Sequence, residues 1–156
     1  MEDKTNVMRI LDQKKIEYKE HTYLNTGAIG GQEVAEALGE DANRVFKTLV
    51  TVGKTGNHYV FLVPVNKELN LKKGAKAVGE KKIEMIKSKE LLPLTGYIHG
   101  GCSPIGMKKR FKTVIDESAM ELEFFYVSAG KVGFQVKLSP KEICRLTNAD
   151  FAKITV

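Results

Sequence analysis

The apolar positions of this chain fall into short runs whose period switches repeatedly between helix and strand. Val7, Met8, Ile10 and Leu11 make one helical stripe after Thr5, a residue suited to an N-cap. The stripe ends at Lys14 and Lys15, where cations suit the negative end of a helix. The segment Ile16–Tyr23 alternates as a strand, and Leu24–Gly31, with three glycines, reads as a loop. Gln32–Leu38 is a short helix with Val34, Ala35 and Leu38 inward and Gly39 as its stop.

Arg44–Val52 is apolar and β-branched, and His58–Val65 returns antiparallel to it across a turn at Gly53–Asn57. Asn70 caps a helix that runs to about Val78 and closes at Gly79. A short strand at Ile83–Ile86, a short helix at Ser88–Leu92 and a strand at Gly96–Gly101 follow. Thr113–Ile115, Glu123–Val127 and Phe134–Leu138 read as further strands, the last entered through the turn Ser128–Gly133. Ser139-Pro140-Lys141-Glu142 is a capping box with proline at the first helical position, and its helix stops near Asn148. Strands joined by tight turns and interspersed with helices predict one α+β domain over residues 1–156, with a mixed, curled sheet flanked by helices.

Composition narrows the function only a little. The 156 residues suit one core, and 25 basic against 19 acidic residues leave a net charge of +6. That balance permits a polyanionic partner without requiring one. No apolar run approaches the about 18 residues of a membrane span, and Met1–Lys15 lacks the apolar segment of a signal peptide. Cys102 and Cys144 are too few for a disulfide framework and lack zinc-site spacing, and His21, His58 and His99 are scattered. The expectation is a cytoplasmic protein with reduced thiols, no metal, no cofactor and no membrane.

Two places carry candidate chemistry. Lys47 interrupts an apolar strand, on the face of Val45 and Leu49 and opposite Phe46 and Thr48. It either guards a sheet edge or projects a cation into a cleft. The stretch G-G-C-S-P-I-G-M-K-K-R, Gly100–Arg110, has glycine-shaped backbone able to turn amides toward an oxyanion, followed by Lys108, Lys109 and Arg110. It is no P-loop, since no Gly-Lys-Ser/Thr ends it. Cys102 as a nucleophile needs a base, and on an extended chain His99 faces away from it. Ser128 either donates to a ligand or bonds its own hairpin backbone. No Ser-His-Asp or paired-carboxylate set is visible, so an enzyme built this way binds and polarises rather than attacks.

Together, H-T-Y (His21–Tyr23), V-F-K-T-L (Val45–Leu49), L-N-L-K-K (Leu69–Lys73), G-Y-I-H-G-G-C-S-P-I-G-M-K-K-R (Gly96–Arg110) and Y-V-S-A-G-K-V-G (Tyr126–Gly133) resemble the YbaK-like aminoacyl-tRNA deacylases. These are free-standing relatives of the editing domain of prolyl-tRNA synthetases. The resemblance implies a six-stranded mixed β-barrel-like sheet surrounded by helices. It implies hydrolysis of a mischarged tRNA ester, typically cysteine on proline tRNA, with the substrate thiol as attacking group. It places Lys47 and the Gly100-Gly101 backbone at the ester. Tyr23, Thr48, Cys102, Ser103, Ser128 and Gly130 would surround the substrate. Lys108, Lys109, Arg110 and Lys131 would meet the tRNA acceptor end, with prolyl-tRNA synthetase as a further partner. Three positions depart from many relatives: Gly30 in place of an aromatic residue, Val132 in place of arginine, and Gln135 in place of an acidic residue. A deacylase for another small amino acid such as alanine, or a non-catalytic tRNA- or synthetase-binding module, are the alternative readings.

Overall fold

The computed structural model describes residues 4–23 and 31–156. The loop expected before Gly31, and Gly30 with it, lie outside the described residues. Helix α1 spans Asn6–Gln13, with the Thr5 hydroxyl accepting from the Met8 N–H. Its C-terminal end is tighter than the sequence suggests. Lys15 takes φ 58°, the Lys15 N–H donates to the Asp12 carbonyl and the Ile16 N–H to the Leu11 carbonyl. This left-handed cap draws buried Ile16 against the core, so strand β1 begins later than expected, at Lys19–Thr22.

Helix α2 (Gly31–Leu38) and a 3₁₀ turn (Ala42–Arg44) lead into β2 (Phe46–Gly53), which pairs antiparallel with β3 (His58–Pro64). Helix α3 (Leu71–Val78) has Asn70 as N-cap and Gly79, at φ 75°, as C-cap. Strand β4 is Ile83–Met85. Helix α4 (Ser88–Thr95) runs through Pro93, past the expected end at Leu92. The expected strand at Gly96–Gly101 is absent. Gly96 and Gly100 adopt φ 87° and 85°, and the Gly101 N–H closes a turn on the Ile98 carbonyl, so the segment cannot stay extended.

Strand β5 (Lys112–Asp116), a 3₁₀ turn (Glu117–Glu121), β6 (Phe125–Ser128), β7 (Phe134–Leu138) and α5 (Pro140–Thr147) follow the expected order. An unforeseen strand β8, Asp150–Ala152, lies parallel to β5. It is three residues long and opens on an aspartate, too short and too polar to show a strand period. The described strands pair as β1-β7-β6 and β4-β2-β3-β5-β8. The expected α+β architecture with a mixed sheet is present, distributed over these two sheets. A parallel bridge joins Val45 to Tyr126 between them, and Phe46 of one sheet meets Phe125 of the other edge-on, 5.0 Å between ring centroids. The largest core draws on α1 and on both sheets, with Met8, Leu11, Phe46, Leu62, Phe125 and Val136 fully buried or nearly so. No helix among the described residues is long and apolar enough to cross a membrane.

The β2–β3 hairpin is pinned from outside by Glu80, just past the α3 cap. Its carboxylate accepts from the Tyr59 hydroxyl at 2.6 Å, from the Thr55 hydroxyl, and from the Thr55 N–H at 3.3 Å. A side chain on Gly53 would occupy the place of that carboxyl. The Thr55 and Tyr59 hydroxyls hold the Glu80 carboxyl below the usual glutamate range. A depressed carboxylate stabilises the fold above its unfolded pKa and loses that contribution as pH falls through the folded one. Urea unfolding should therefore show stability declining below about pH 4.3. In Glu80→Gln, stability near neutrality should be lower and this acid-side decline smaller. An unchanged decline in that variant would remove Glu80 as its source.

Candidate active site

Strand β2 bonds different partners along its length, and the gap between them is the site. The Val65 N–H donates to the Val45 carbonyl at 2.8 Å, so odd-numbered residues of β2 face β3. Even-numbered ones turn their N–H and C=O to the other edge. There the Ile86 N–H donates to the Val50 carbonyl and β4 pairs with Thr51–Gly53. At the other end Val45 bridges to Tyr126. Between these two attachments no strand pairs with β2 among the described residues. The main chain of Thr48 therefore stands at an open edge.

A cavity of about 180 Å³ lies beside this edge. Because it sits where two sheets part, residues from both faces of β2 line it, including Lys47 and Thr48. So do Tyr23, Gly100, Cys102 and Ser128. Six of the residues proposed from the sequence thus converge on one space. Val34, Val45, Phe46, Leu49, Val65 and Leu91 supply an apolar remainder. Lys47 is the charged side chain there. Its side chain is about a quarter exposed (26%), and its ammonium stands 3.7 Å from the carboxylate of exposed Glu68.

The glycine stretch is held as a closed loop. The Tyr97 hydroxyl donates to the Ile105 carbonyl at 2.5 Å, and the Thr95 hydroxyl accepts from the Tyr97 N–H at 3.0 Å and donates to the Leu91 carbonyl. Burial pushes the Tyr97 hydroxyl up to about 12, so it stays a donor. The Tyr97 ring packs against Gly130, where a Cβ would come within 3.0 Å of it. A Cβ on Gly101 would come within 3.1–3.3 Å of the backbone of Lys131 and Val132. The glycines at 101 and 130 thus serve the packing of one loop on the other.

Four expected positions stand away from the cavity wall. Gly101, Ser103, Gly130 and Lys131 do not line it. The Gly101 N–H is spent on Ile98, Ser103 is fully buried with its hydroxyl accepting from the Ile105 N–H, and Lys131 lies over the Phe134 ring. Lys109 and Arg110 line a second cavity of about 250 Å³ together with Lys14, and Arg110 also donates to the Leu146 carbonyl. The Lys108 stem covers Gly96. The basic cluster is thus a separate surface from the cavity of Lys47.

Cys102 is buried, and burial pushes its thiol up to about 12 against a smaller opposing hydrogen bond with Thr95. The Ser128 hydroxyl accepts from the Gly130 N–H at 3.1 Å, which leaves its own hydrogen for a ligand. Sequence reasoning assigned no site role to Gln135 and His99, which also line the cavity. Pairing of Gln135 with Ser128 across β6 and β7 is what puts them on one face. The signal available for Gln135 was its standing where many relatives carry an acidic residue.

Known proteins share both the sequence pattern and the fold. A family model described as the aminoacyl-tRNA editing domain matches residues 26–146. An Enterococcus faecalis protein described as a Cys-tRNA(Pro)/Cys-tRNA(Cys) deacylase, EbsC, is 50% identical over 155 residues, covering 99% of this chain and 94% of its own. A proline–tRNA ligase of Thermosipho melanesiensis is 30% identical over 103 residues, 66% of this chain and 18% of the ligase. A solved structure described as a trans-editing enzyme for prolyl-tRNA synthetase superposes with a TM-score of 0.82 at 26% identity, covering 96% of each chain. With residues 26–146 matched by the family model and a 50% identical relative covered almost end to end, the chain belongs to the aminoacyl-tRNA editing family, and its enzymatic class is aminoacyl-tRNA deacylase.

Proposed function

We propose that the protein hydrolyses the ester of cysteine mischarged on proline tRNA, using the cavity beside Thr48. The carrying observation is that Lys47, Gly100 and the open main-chain edge of β2 border one small, largely apolar space. A cavity of about 150 Å³ accommodates benzene. The space here thus suits a small aminoacyl group and not a large one.

The chemistry follows from what the wall offers. N–H groups of Thr48 and Gly100 are the available donors to a carbonyl oxygen that gains negative charge, and a removed donor of that kind costs on the order of 10²–10³ in rate. The Lys47 ammonium balances charge at the ester and the terminal nucleotide. Its pairing with exposed Glu68 is weak, as surface pairs are, so an anionic substrate displaces it. Among the described residues no side chain on the wall is equipped to attack: burial keeps the Cys102 thiol protonated, and no base is hydrogen-bonded to Ser128. The substrate's own sulfur supplies the nucleophile. It bonds to the carbonyl carbon, the bond to the ribose oxygen breaks, and the thiol proton ends on that oxygen. The cyclic thioester released then opens with water. Holding the reacting ends together contributes about 7–11 kcal/mol in favourable intramolecular cases.

The cations Lys108, Lys109 and Arg110 lie outside this cavity and suit phosphates of the acceptor end. We also include prolyl-tRNA synthetase among its partners, because ligases of that name contain the matching stretch within their own chains. Two experiments test the reading. Purified protein should deacylate cysteinyl-tRNA(Pro) faster than alanyl- or seryl-tRNA(Pro), and Lys47→Ala should lose about a hundredfold or more with its fold retained. Cysteinyl-tRNA(Pro) no less charged than in buffer would refute it. Cys102→Ala should keep nearly full activity, and the wild-type Cys102 thiol should resist alkylation at pH 7. A dead Cys102→Ala enzyme with native circular dichroism would return the nucleophile to the protein.

A further inference from the structure

The cavity wall contains polar atoms that find no partner among the described residues. Gln135 is buried, 6% exposed, and its Oε1 makes no hydrogen bond. The Thr48 Oγ1 is likewise buried and unpartnered. Both side chains line the cavity. They arrive from different sheets, Gln135 from β7 and Thr48 from the open edge of β2. Cross-strand register sets Ser128, Gln135 and His21 in one row on one face, and the His21 Nε2 behind Gln135 is also buried without a partner. A buried acceptor left unpaired costs stability, and such groups call for an explanation. The Gln135 oxygen can only accept and the Thr48 hydroxyl can accept as well as donate, so a ligand that brings hydrogens satisfies both.

A small aminoacyl ester has one group with more than one strong donor hydrogen, its α-amine. The carbonyl and ester oxygens only accept, and a thiol is a weak donor. The charge on the wall settles the form of that amine. The charged side chain there is the cation Lys47, and no carboxylate lines the cavity among the described residues. Neutral acceptors beside an ammonium favour an uncharged amine over a second cation. We propose, on the basis of the deacylase reading above, that Gln135 Oε1 and Thr48 Oγ1 hold the uncharged α-amine of the aminoacyl group. The enzyme then acts on esters of free α-amino acids and spares those whose amine is missing or blocked, as in a formylated or peptidyl ester. The amino acid's side chain is left to the apolar part of the cavity, which reads size. Gln135 and Thr48 are positioning residues: they fix the carbonyl before the donors of the wall by holding the atom two bonds away.

The test compares cysteinyl-tRNA(Pro) with 3-mercaptopropionyl-tRNA(Pro), which keeps the ester and the thiol and lacks the amine. Wild type should cleave the cysteinyl ester about tenfold faster or more, since a site built to hydrogen-bond a group rejects the analogue without it. Gln135→Leu and Thr48→Val should bring the two rates within about threefold by slowing the cysteinyl ester alone. A purely structural role would slow both esters together. Gln135→Glu, which keeps the acceptor, should keep the preference. The melting temperature of Gln135→Leu should be unchanged or higher, because that variant removes an unpaired buried carbonyl. Equal wild-type rates on the two esters would overturn the proposal. So would a preference that survives in both Gln135→Leu and Thr48→Val, or a Gln135→Leu enzyme whose only change is its choice between cysteine and alanine. Failure to cleave either ester would bring down the deacylase reading, and this proposal with it.

Discussion

Strand β2 belongs to one sheet and is bridged to the other at Val45, just before it begins, and the candidate site lies along the edge between those attachments. One edge is paired continuously with β3 from Phe46 to Val52. The other is bonded near Val50–Gly53 by Ile86 and β4, and at Val45 by the bridge to Tyr126. Sheet twist carries those partners apart, so the edge between them opens around Thr48. Unpaired main chain normally is a liability inside a protein. Here it borders a cavity of about 180 Å³, the space proposed above for the aminoacyl group, and its groups are aimed without help from any flexible side chain.

The rest of the wall is rigid for reasons that do not involve substrate. Tyr97 closes its own loop on Ile105 and packs against Gly130, while Gly101 rests on the backbone of Lys131 and Val132. Two loops distant in sequence thereby become one packed unit, with Gly100 facing the cavity and Gly101 facing the neighbouring loop. Preorganisation of this kind lets donors act without reorganising as charge develops. It also explains a side-chain inventory poor in nucleophiles. Burial keeps the Cys102 thiol protonated, so it serves as a wall rather than as a reagent.

Charge is divided between two surfaces. Lys47 is the cation of the cavity, paired only loosely with Glu68. Lys14, Lys109 and Arg110 gather around a second hollow on the far side of the Cys102–Pro104 segment. Lys109 and Arg110 follow the glycine loop closely in sequence, yet they border a different space from Gly100. A long polyanion can touch both surfaces, whereas a small molecule meets one.

Much of this architecture was legible along the chain. Thr5, Asn70 and Ser139 cap the helices they were expected to cap, and Gly39, Gly79 and Asn148 stand at the expected ends, because capping is a contact between neighbours in sequence. The β2–β3 hairpin and Lys47's place on it follow from alternation. What the chain could not disclose depends on partners far away in sequence. The strand expected at Gly96–Gly101 gave way to a loop because Thr95 and Ile105 tie it down. Strand β8 exists because β5 offers it an edge. The exclusion of Gly101 from the cavity and the inclusion of Gln135 depend on which neighbour each meets across loops and strands. Local chemistry decided the elements; the meeting of two sheets decided which of their polar atoms would be left without a partner, and so where a ligand can bind.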